Sequence, residues 1–227
     1  LRALDRLPRT PGLIIFSSSV GVYGLDSGTQ IDESHPCRPV KPYDRSKLEA
    51  EALLGEWCRR REVSSLSLRL SLVIGRGARG NFGSLVRAIR RGYYCRVGRG
   101  GARRSMLWVE DLPPLIWHAA GYRGHGCYNL TDGCHPTVAE LDRAIAAALG
   151  RKPPLAIPDP IVSIIRRMAK MAAFIPKAGT VSGSLEKLTN ELTFSDGLAR
   201  RELGWNPKPV LEIIADCVRE TDRVEAR

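Results

Sequence analysis

Short apolar runs alternate with longer amphipathic segments along the first two thirds of the chain. The apolar runs have the length and the flanking turn residues of buried strands, and they lie near residues 12–17, 66–74, 94–97, 105–109 and 126–130. The amphipathic segments predict helices near residues 46–61, 82–92 and 137–149. Strands that alternate with helices favour a parallel sheet with crossover helices, so the sequence predicts an α/β fold.

The last third of the chain lacks this alternation. Proline-rich residues 153–160 predict an irregular connector, and helices are expected after it near residues 161–174, 196–203 and 209–224. Arg166, Arg167 and Lys170 interrupt the apolar stretch of the first of these helices, which argues against a membrane span. We expect this helix to pack its apolar face on the core, and an interfacial membrane anchor is the alternative. The chain has no run of 18 apolar residues, so no membrane span is predicted.

Polar residues are predicted to cap some of these helices. Ser46 stands where the helix near 46–61 is expected to begin, and Asp111 precedes another apolar segment. Thr137-Val-Ala-Glu140 has the form of a capping box, in which each end residue satisfies a backbone N–H group of the other. The sequence therefore predicts caps at Ser46, Asp111 and Thr137.

A phenol, an ammonium and a hydroxyl occur at a spacing that indicates proton transfer. Tyr43 and Lys47 are four residues apart, so a helix places both on one face. Ser19 follows the apolar run near 12–17 and is expected at the carboxyl edge of the sheet, where open α/β sheets bind ligands. A nearby ammonium favours the ionised form of a phenol. Singly these residues fit a turn serine, a surface tyrosine and a solvated lysine; together they indicate a general acid/base.

Composition narrows the partners of the chain. Its 227 residues are 43% hydrophobic and carry a formal net charge of +11, a balance that raises nucleic acid as a partner. The arginines are scattered and no recognition motif accompanies them, so we expect an anionic small substrate and no nucleic acid. The six cysteines form no C-x-x-C pair and the four histidines no cluster, which indicates neither metal nor disulfides and favours a reducing cytoplasm.

Short motifs follow one another along nearly the whole chain. In order, they are Phe16-Ser-Ser-Ser-Val-Gly-Val-Tyr-Gly24, Ile31-Asp-Glu-Ser-His-Pro36, Tyr43-Asp-Arg-Ser-Lys47, Leu68-Arg-Leu-Ser-Leu-Val-Ile-Gly75, Gly80-Asn-Phe82, Arg104-Ser-Met-Leu-Trp-Val-Glu-Asp111, Tyr128-Asn-Leu-Thr131 and Glu202-Leu-Gly-Trp-Asn-Pro207. In this order the chain resembles the extended short-chain dehydrogenase/reductase family, in its NAD-dependent nucleotide-sugar epimerase/dehydratase branch.

The resemblance implies a role for particular side chains. Ser19, Tyr43 and Lys47 would be catalytic, and Tyr43, Lys47 and Leu70 would contact the cofactor, which is NAD or alternatively NADP. The residues implied to bind a nucleotide-sugar substrate are Ser19, Asn81, Phe82, Val97 and Arg104. A solvated surface pair is the alternative for Arg103 and Arg104.

The resemblance also implies an architecture. We expect a Rossmann-like parallel sheet with a smaller, mostly helical C-terminal substrate-binding subdomain, and a homodimer for the full-length protein. Residues 1–80 would be the second half of the dinucleotide-binding domain and 81–108 a substrate-binding insertion. Residues 109–134 would return to the Rossmann sheet, and 135–227 would form the C-terminal subdomain.

Members of this family begin with a strand, a Gly-rich turn and a helix that hold the cofactor pyrophosphate, and none of these precedes residue 12. We therefore expect the chain to be a fragment that binds NAD weakly by itself. Gly75-Arg-Gly-Ala-Arg-Gly80 has the G-x-G-x-x-G form but lacks the acidic residue expected about 20 positions later, so we interpret it as a turn.

Residues beside Ser19 bear on the reaction. The dehydratases of the family carry acidic side chains directly after this serine, whereas Val20 and Gly21 stand there in this chain. The resemblance then implies a sugar 4-epimerase or a 4-ketoreductase. Leu70 departs from the proline usual in the family. Two alternatives stay open at this point: an NADP-dependent reductase of a non-nucleotide ketone, and a non-catalytic remnant.

Overall fold

The structure is a computed structural model, and it describes residues 4–6, 9–75, 81–158, 160–161, 163 and 190–225. The strands are β1 (Leu13–Ser19), β2 (Gly28–Ile31), β3 (Ser64–Leu70), β4 (Leu72–Ile74), β5 (Cys95–Val97), β6 (Met106–Trp108), β7 (His125–Leu130), β8 (Leu155–Ile157) and β9 (Leu192–Phe194). The α-helices are α1 (Pro42–Arg60), α2 (Asn81–Arg90), α3 (Leu112–His118), α4 (Val138–Ala148), α5 (Gly197–Leu203) and α6 (Val210–Glu225).

The central sheet has the order β1-β3-β7, and all its strands are parallel. Helix α1 connects β1 to β3 and packs on both strands. The register pairs Leu13 with Ser64 and Ser19 with Leu70, so the carboxyl ends of β1 and β3 lie side by side. The parallel sheet with crossover helices that the alternating pattern predicted is confirmed.

Shorter parallel pairs surround this sheet: β2 with β9, β4 with β6, and β5 with β8. The single strand predicted near 66–74 is wrong, because the chain changes partner at Ser71. Ser71 N donates to Leu130 O beside β7, and Leu72 N donates to Ser105 O beside β6. Two successive strands therefore replace one long strand.

The described residues form four apolar clusters, and the two largest hold most of the helices in place. One lies on the central sheet and contains Leu66, Leu130 and Leu203, together with Trp205, whose indole N–H donates to Thr131 O at 2.8 Å. The other joins α2, α4 and α6. Through the first core, α5 packs directly on the central sheet. Residues late in the chain therefore cover strands that are formed by much earlier residues.

Of the predicted helix caps, Ser46 is wrong, Asp111 is at the cap position of α3 but makes no cap hydrogen bond, and Thr137 is confirmed. Helix α1 begins at Pro42, and Ser46 lies inside it, where its hydroxyl donates to Tyr43 O at 2.7 Å. Asp111 makes no side-chain cap for α3, and its carboxylate accepts a hydrogen bond from Lys208 N at 3.0 Å. Thr137 and Glu140 form the predicted capping box.

The predicted helices near 46–61, 82–92, 137–149, 196–203 and 209–224 correspond to α1, α2, α4, α5 and α6. The helix expected after Asp111 corresponds to α3, whereas strands β2, β8 and β9 were not predicted. The helix expected near 161–174 falls almost wholly outside the described residues. The division into segments 1–80, 81–108, 109–134 and 135–227 stays a prediction. Across the described residues, no helix is long and apolar enough to span a membrane.

A buried ion pair joins β5 to α4 and gives a test of this packing. Arg96 Nη1 lies 2.8 Å and 3.1 Å from the two carboxylate oxygens of Asp142, which is fully buried. We expect Asp142→Ala to lower the free energy of unfolding by about 3–5 kcal/mol, because it leaves the Arg96 charge buried without compensation. Denaturant unfolding measures the loss.

The control is Asp216→Ala, which removes the carboxylate of an exposed pair on α6, 3.9 Å from Arg219. Exposed pairs contribute little, so this change should stay within about 1 kcal/mol of the parent. Equal losses for the two variants would contradict the assignment of the Arg96–Asp142 pair to the buried core.

Candidate active site

A cavity of about 830 Å³ opens beside the carboxyl ends of β1 and β3. The residues that the sequence predicted for the site and that line this cavity are Ser19, Tyr43, Leu70, Phe82 and Arg104. The fold thus brings together side chains that are up to 85 positions apart in the sequence. This location agrees with the general rule that open α/β sheets bind ligands at the carboxyl ends of their strands.

Ser19 is the last residue of β1 and caps the short 3-10 helix Val20–Tyr23. Its Oγ accepts a hydrogen bond from Gly21 N at 3.0 Å. A hydroxyl can accept and donate at the same time, so this contact leaves the hydroxyl hydrogen of Ser19 able to reach an oxygen atom in the cavity. The geometry suits a donor to a substrate hydroxyl or ketone.

Tyr43 and Lys47 lie on neighbouring turns of α1. Tyr43 is 60% exposed, and Lys47 Nζ lies 5.6 Å from the centre of its ring. Lys47 Nζ also donates to Ser17 O on β1 at 2.8 Å and lies 5.0 Å from the centre of the Phe16 ring. The lysine is therefore held against the strand beside the tyrosine, although it is not among the residues that line the cavity.

A polar network below the cavity fixes α1 on the sheet. Arg69 of β3 makes a bidentate contact with Glu51 of α1, at 3.1 Å and 2.8 Å. Arg69 also donates to Tyr23 Oη at 2.9 Å, and Tyr23 donates to Asn129 Oδ1 at 2.8 Å. Burial raises the pKa of Tyr23 to about 12. Tyr23 is thus a structural phenol, distinct from the exposed Tyr43.

Arg104 brings a positive charge to the cavity. Its backbone N–H donates to Pro136 O at 3.1 Å, and its position is paired with Leu192 of β9. Its Nη2 atom is buried and has no hydrogen-bond partner within the part of the chain that the structure describes. Burial lowers the pKa of Arg104, and the nearby Asp26 opposes that shift. A cation held in this way has donors left for an anionic ligand.

Arg103 differs from its neighbour. It is exposed, and its Nη1 donates to His135 O at 3.1 Å. The alternative of an equivalent surface pair therefore does not describe Arg103 and Arg104, since Arg104 alone of the two lines the cavity.

Sequence reasoning assigned no role to Asp44, although it lies inside the Tyr43-to-Lys47 motif. Its side chain is 8% exposed and lines the cavity. Its Oδ1 atom lies 2.0 Å from the point where a Cβ on Gly21 would stand. The sequence does contain a glycine shortly after Ser19 and a carboxylate directly after Tyr43. Their relation becomes visible only once the two segments are known to be in contact.

Other predicted site residues lie elsewhere or are not described. Val97 ends β5 and does not line the cavity. Asn81 begins α2, and the structure does not describe its side chain; residues 76–80 of the G-x-G-x-x-G segment lie outside the described residues. Over the described ranges, no group of three or more His, Cys, Asp or Glu residues could hold a metal ion.

The family of the chain is established by its sequence. Residues 1–130 match the NAD dependent epimerase/dehydratase family, and these residues make up more than half of the chain. The chain therefore belongs to this family, and the resemblance inferred from the order of the motifs is confirmed.

Two curated relatives are epimerases by name. The chain is 34% identical over 156 residues to the N-acetyl-alpha-D-glucosaminyl-diphospho-ditrans,octacis-undecaprenol 4-epimerase of Escherichia coli O157:H7, a match that covers 65% of this chain and 46% of that protein. It is 27% identical over 207 residues to the UDP-glucose 4-epimerase of Vibrio cholerae, covering 87% of this chain and 59% of that protein. The chain thus spans about half the length of these relatives.

A solved structure shows the same fold. MoeE5, in complex with UDP-glucose and NAD, superimposes with a TM-score of 0.69 at 24% identity, covering 94% of this chain and 66% of that chain. A likeness at this level of identity bears on the fold, and it confirms the predicted Rossmann-like α/β class.

Gly24 forms part of the cavity wall and gives a test of its geometry. It has φ of +70°, and a Cβ there would lie 1.9 Å from Arg38 O. We expect Gly24→Ala to cost about 1–2 kcal/mol for the left-handed backbone and a further ~1–3 kcal/mol for the clash. Denaturant unfolding of the variant and the parent measures the difference.

Gly92→Ala is the matched control. Gly92 has φ of +77°, and a Cβ there would meet no heavy atom within 4 Å, so its alanine variant bears only the backbone cost. If Gly24→Ala is no more destabilising than Gly92→Ala, Arg38 O does not lie as close to Gly24 as the structure places it.

Proposed function

We propose that the chain forms the substrate-binding and catalytic part of an NAD(P)-dependent enzyme that acts at C4 of a nucleotide sugar, as a 4-epimerase or a 4-ketoreductase. The observation that carries this proposal is the shared cavity: Ser19 and Tyr43, the proposed proton-handling groups, line the same space as Arg104, the proposed diphosphate ligand. A hydroxyl, a phenol and a guanidinium are the groups that such a substrate needs at its sugar and at its diphosphate.

The donors beside the cavity fit the nicotinamide end of NAD. An ammonium has three N–H donors, and Lys47 uses one of them on Ser17 O, so others can bind the hydroxyls of a ribose. The Tyr43 phenol is exposed on the same side of α1, and Leu70 lines the cavity at the end of β3. NAD, when bound, supplies the acceptor and donor of a hydride.

The residues of the chain would handle the proton. Tyr43 would take the proton of the sugar hydroxyl as that carbon is oxidised and return it on reduction. Ser19 would donate its hydroxyl hydrogen to the same oxygen, because its bond with Gly21 N uses only an acceptor lone pair and leaves the hydrogen free. Lys47, held near the Tyr43 ring by Ser17 O, would stabilise negative charge on the phenol.

The relatives support the choice of substrate. The names of the two curated relatives specify a hexose joined to a diphosphate, in one case carried by undecaprenol and in the other by uridine. The shared part of these molecules is the sugar and its diphosphate, which are the groups that Tyr43 and Arg104 would recognise. We therefore propose a hexosyl diphosphate as the substrate, and within that class a nucleotide sugar like the one named for the Vibrio cholerae relative.

Arg104 separates this proposal from a reductase of a non-nucleotide ketone. Losing hydrogen bonds to a charged group costs about 1.5–3 kcal/mol. We therefore expect Arg104→Ala to raise the dissociation constants of UDP-glucose and of UDP roughly tenfold to more than a hundredfold. Uridine, which lacks the diphosphate, should bind the variant and the parent equally. Isothermal titration calorimetry of the chain with these ligands makes the measurement.

Arg103→Ala is the control, because it removes a neighbouring arginine that is exposed and does not line the cavity. It should leave all three affinities nearly unchanged. If Arg104→Ala binds UDP-glucose as tightly as the parent chain, the diphosphate does not lie at Arg104, and the reductase of a non-nucleotide ketone becomes the better interpretation.

Tyr43 tests the chemistry in the complete enzyme, assayed with its cofactor-binding part. Losing a general acid/base lowers turnover by about 10²-fold or more, so Tyr43→Phe should do the same with little change in the affinity for the nucleotide sugar. Tyr93→Phe is the control, since Tyr93 is 64% exposed and lies outside the cavity. Retention of most of the activity by Tyr43→Phe would refute the assigned role.

A further inference from the structure

Asp44 is a largely buried residue that lines the cavity. It is 8% exposed, whereas the adjacent Tyr43 is 60% exposed. Within the described residues, its side chain makes no hydrogen bond or ion pair. Glu51, the partly buried carboxylate of the same helix, behaves differently, because it makes a bidentate contact with Arg69.

The carboxylate occupies the side-chain space of Gly21. A Cβ on Gly21 would lie 2.0 Å from Oδ1, 2.6 Å from Cγ and 3.1 Å from Oδ2 of Asp44. Gly21 N is in turn bonded to Ser19 Oγ. Helix α1 therefore supplies an acidic group to the turn after Ser19, at a position where Gly21 has no side chain of its own.

Asp44 lies in the first turn of α1 and lines the cavity, so a ligand in the cavity can reach its carboxylate. An ionised carboxylate accepts hydrogen bonds and cannot donate them. Its ligand must therefore present donors. The hydroxyls of a sugar are donors, whereas the phosphate oxygens of the same substrate are acceptors, so the sugar is the part of the ligand that belongs beside Asp44.

From this we infer that Asp44 is a specificity residue for the sugar. It accepts hydrogen bonds from hydroxyl groups of the hexose near the reacting carbon, and it excludes a hexose that carries a negative charge there. This inference rests on the proposed function, since it presupposes that a nucleotide sugar occupies the cavity. It adds to that function a preference for a neutral hexose over a hexuronate.

The test compares ligands that differ only in the sugar. The parent chain, Asp44→Ala and Asp44→Asn are titrated by calorimetry with UDP, UDP-glucose and UDP-glucuronate. Because hydrogen bonds to a charged group are among the strong ones, we expect Asp44→Ala to weaken UDP-glucose binding about tenfold or more and to leave UDP binding unchanged. Asp44→Asn should narrow the preference for UDP-glucose over UDP-glucuronate, because it removes the charge while retaining the size.

Glu49→Ala serves as the matched control, because Glu49 is an exposed carboxylate on the same helix and lies outside the cavity. It should change none of these affinities. A second cycle tests the contact itself by unfolding: Gly21→Ala should destabilise the parent chain more than it destabilises Asp44→Ala, in which the space beside Gly21 is vacant. Equal effects in the two backgrounds would contradict the contact.

The outcomes distinguish the proposed function from the specificity role of Asp44. If the parent chain binds neither UDP nor UDP-glucose, the proposed function is wrong and the role of Asp44 falls with it. If the parent binds both ligands and Asp44→Ala leaves UDP-glucose binding intact, the proposed function stands and the specificity role is wrong. If Asp44→Ala weakens UDP and UDP-glucose equally, Asp44 acts through the fold, and the specificity role is again overturned.

Discussion

The bidentate contact between Arg69 and Glu51 fixes the helix on which the candidate site depends. Both side chains are about nine-tenths buried, so separating them would leave a charge in the interior. Glu51 lies one turn after Lys47 on α1, and Arg69 lies beside Leu70 at the end of β3. The ion pair therefore fixes the position of α1 along the direction of the strands. This position determines where Tyr43 and Lys47 lie relative to β1.

The same arginine links the rest of the site. Arg69 bonds Tyr23 in the turn after Ser19, and Tyr23 bonds Asn129 of β7, whose side-chain amide donates to Ile31 O at 3.2 Å. A single polar network thus joins α1, the central sheet and β2. Above it, the cavity combines a cation at Arg104 with a carboxylate at Asp44. Opposite charges in one cavity suit a ligand that carries phosphates at one part and hydroxyls at another.

Sequence patterns predicted the elements with strong local signals. The apolar runs of β1 and β7 and the Thr137 capping box are local features, and the structure contains all of them. The start of α1 was predicted at Ser46, because a serine is a common cap, although Pro42 carried a better signal. Proline is favoured at the first helical position, where its missing N–H is not needed.

Strands β2 and β9, by contrast, are three or four residues long and pair across more than 160 positions, as in Gly28 with Leu192. Such short segments have no periodicity of their own. Asp44 was missed for the same reason, because its meaning comes from Gly21, which lies 23 positions away. The roles of Ser19, Tyr43 and Arg104 stay proposals that the shared cavity supports, and the role of Lys47 stays a proposal that its position beside the Tyr43 ring supports.

A crystal structure of the chain with UDP-glucose would test the central claim most directly. The account predicts the diphosphate within hydrogen-bond distance of Arg104, and the glucose ring between Ser19 and Tyr43 with a hydroxyl bonded to the carboxylate of Asp44. A nucleotide bound outside the cavity, or one bound inside it with its sugar away from Ser19 and Tyr43, would contradict the account.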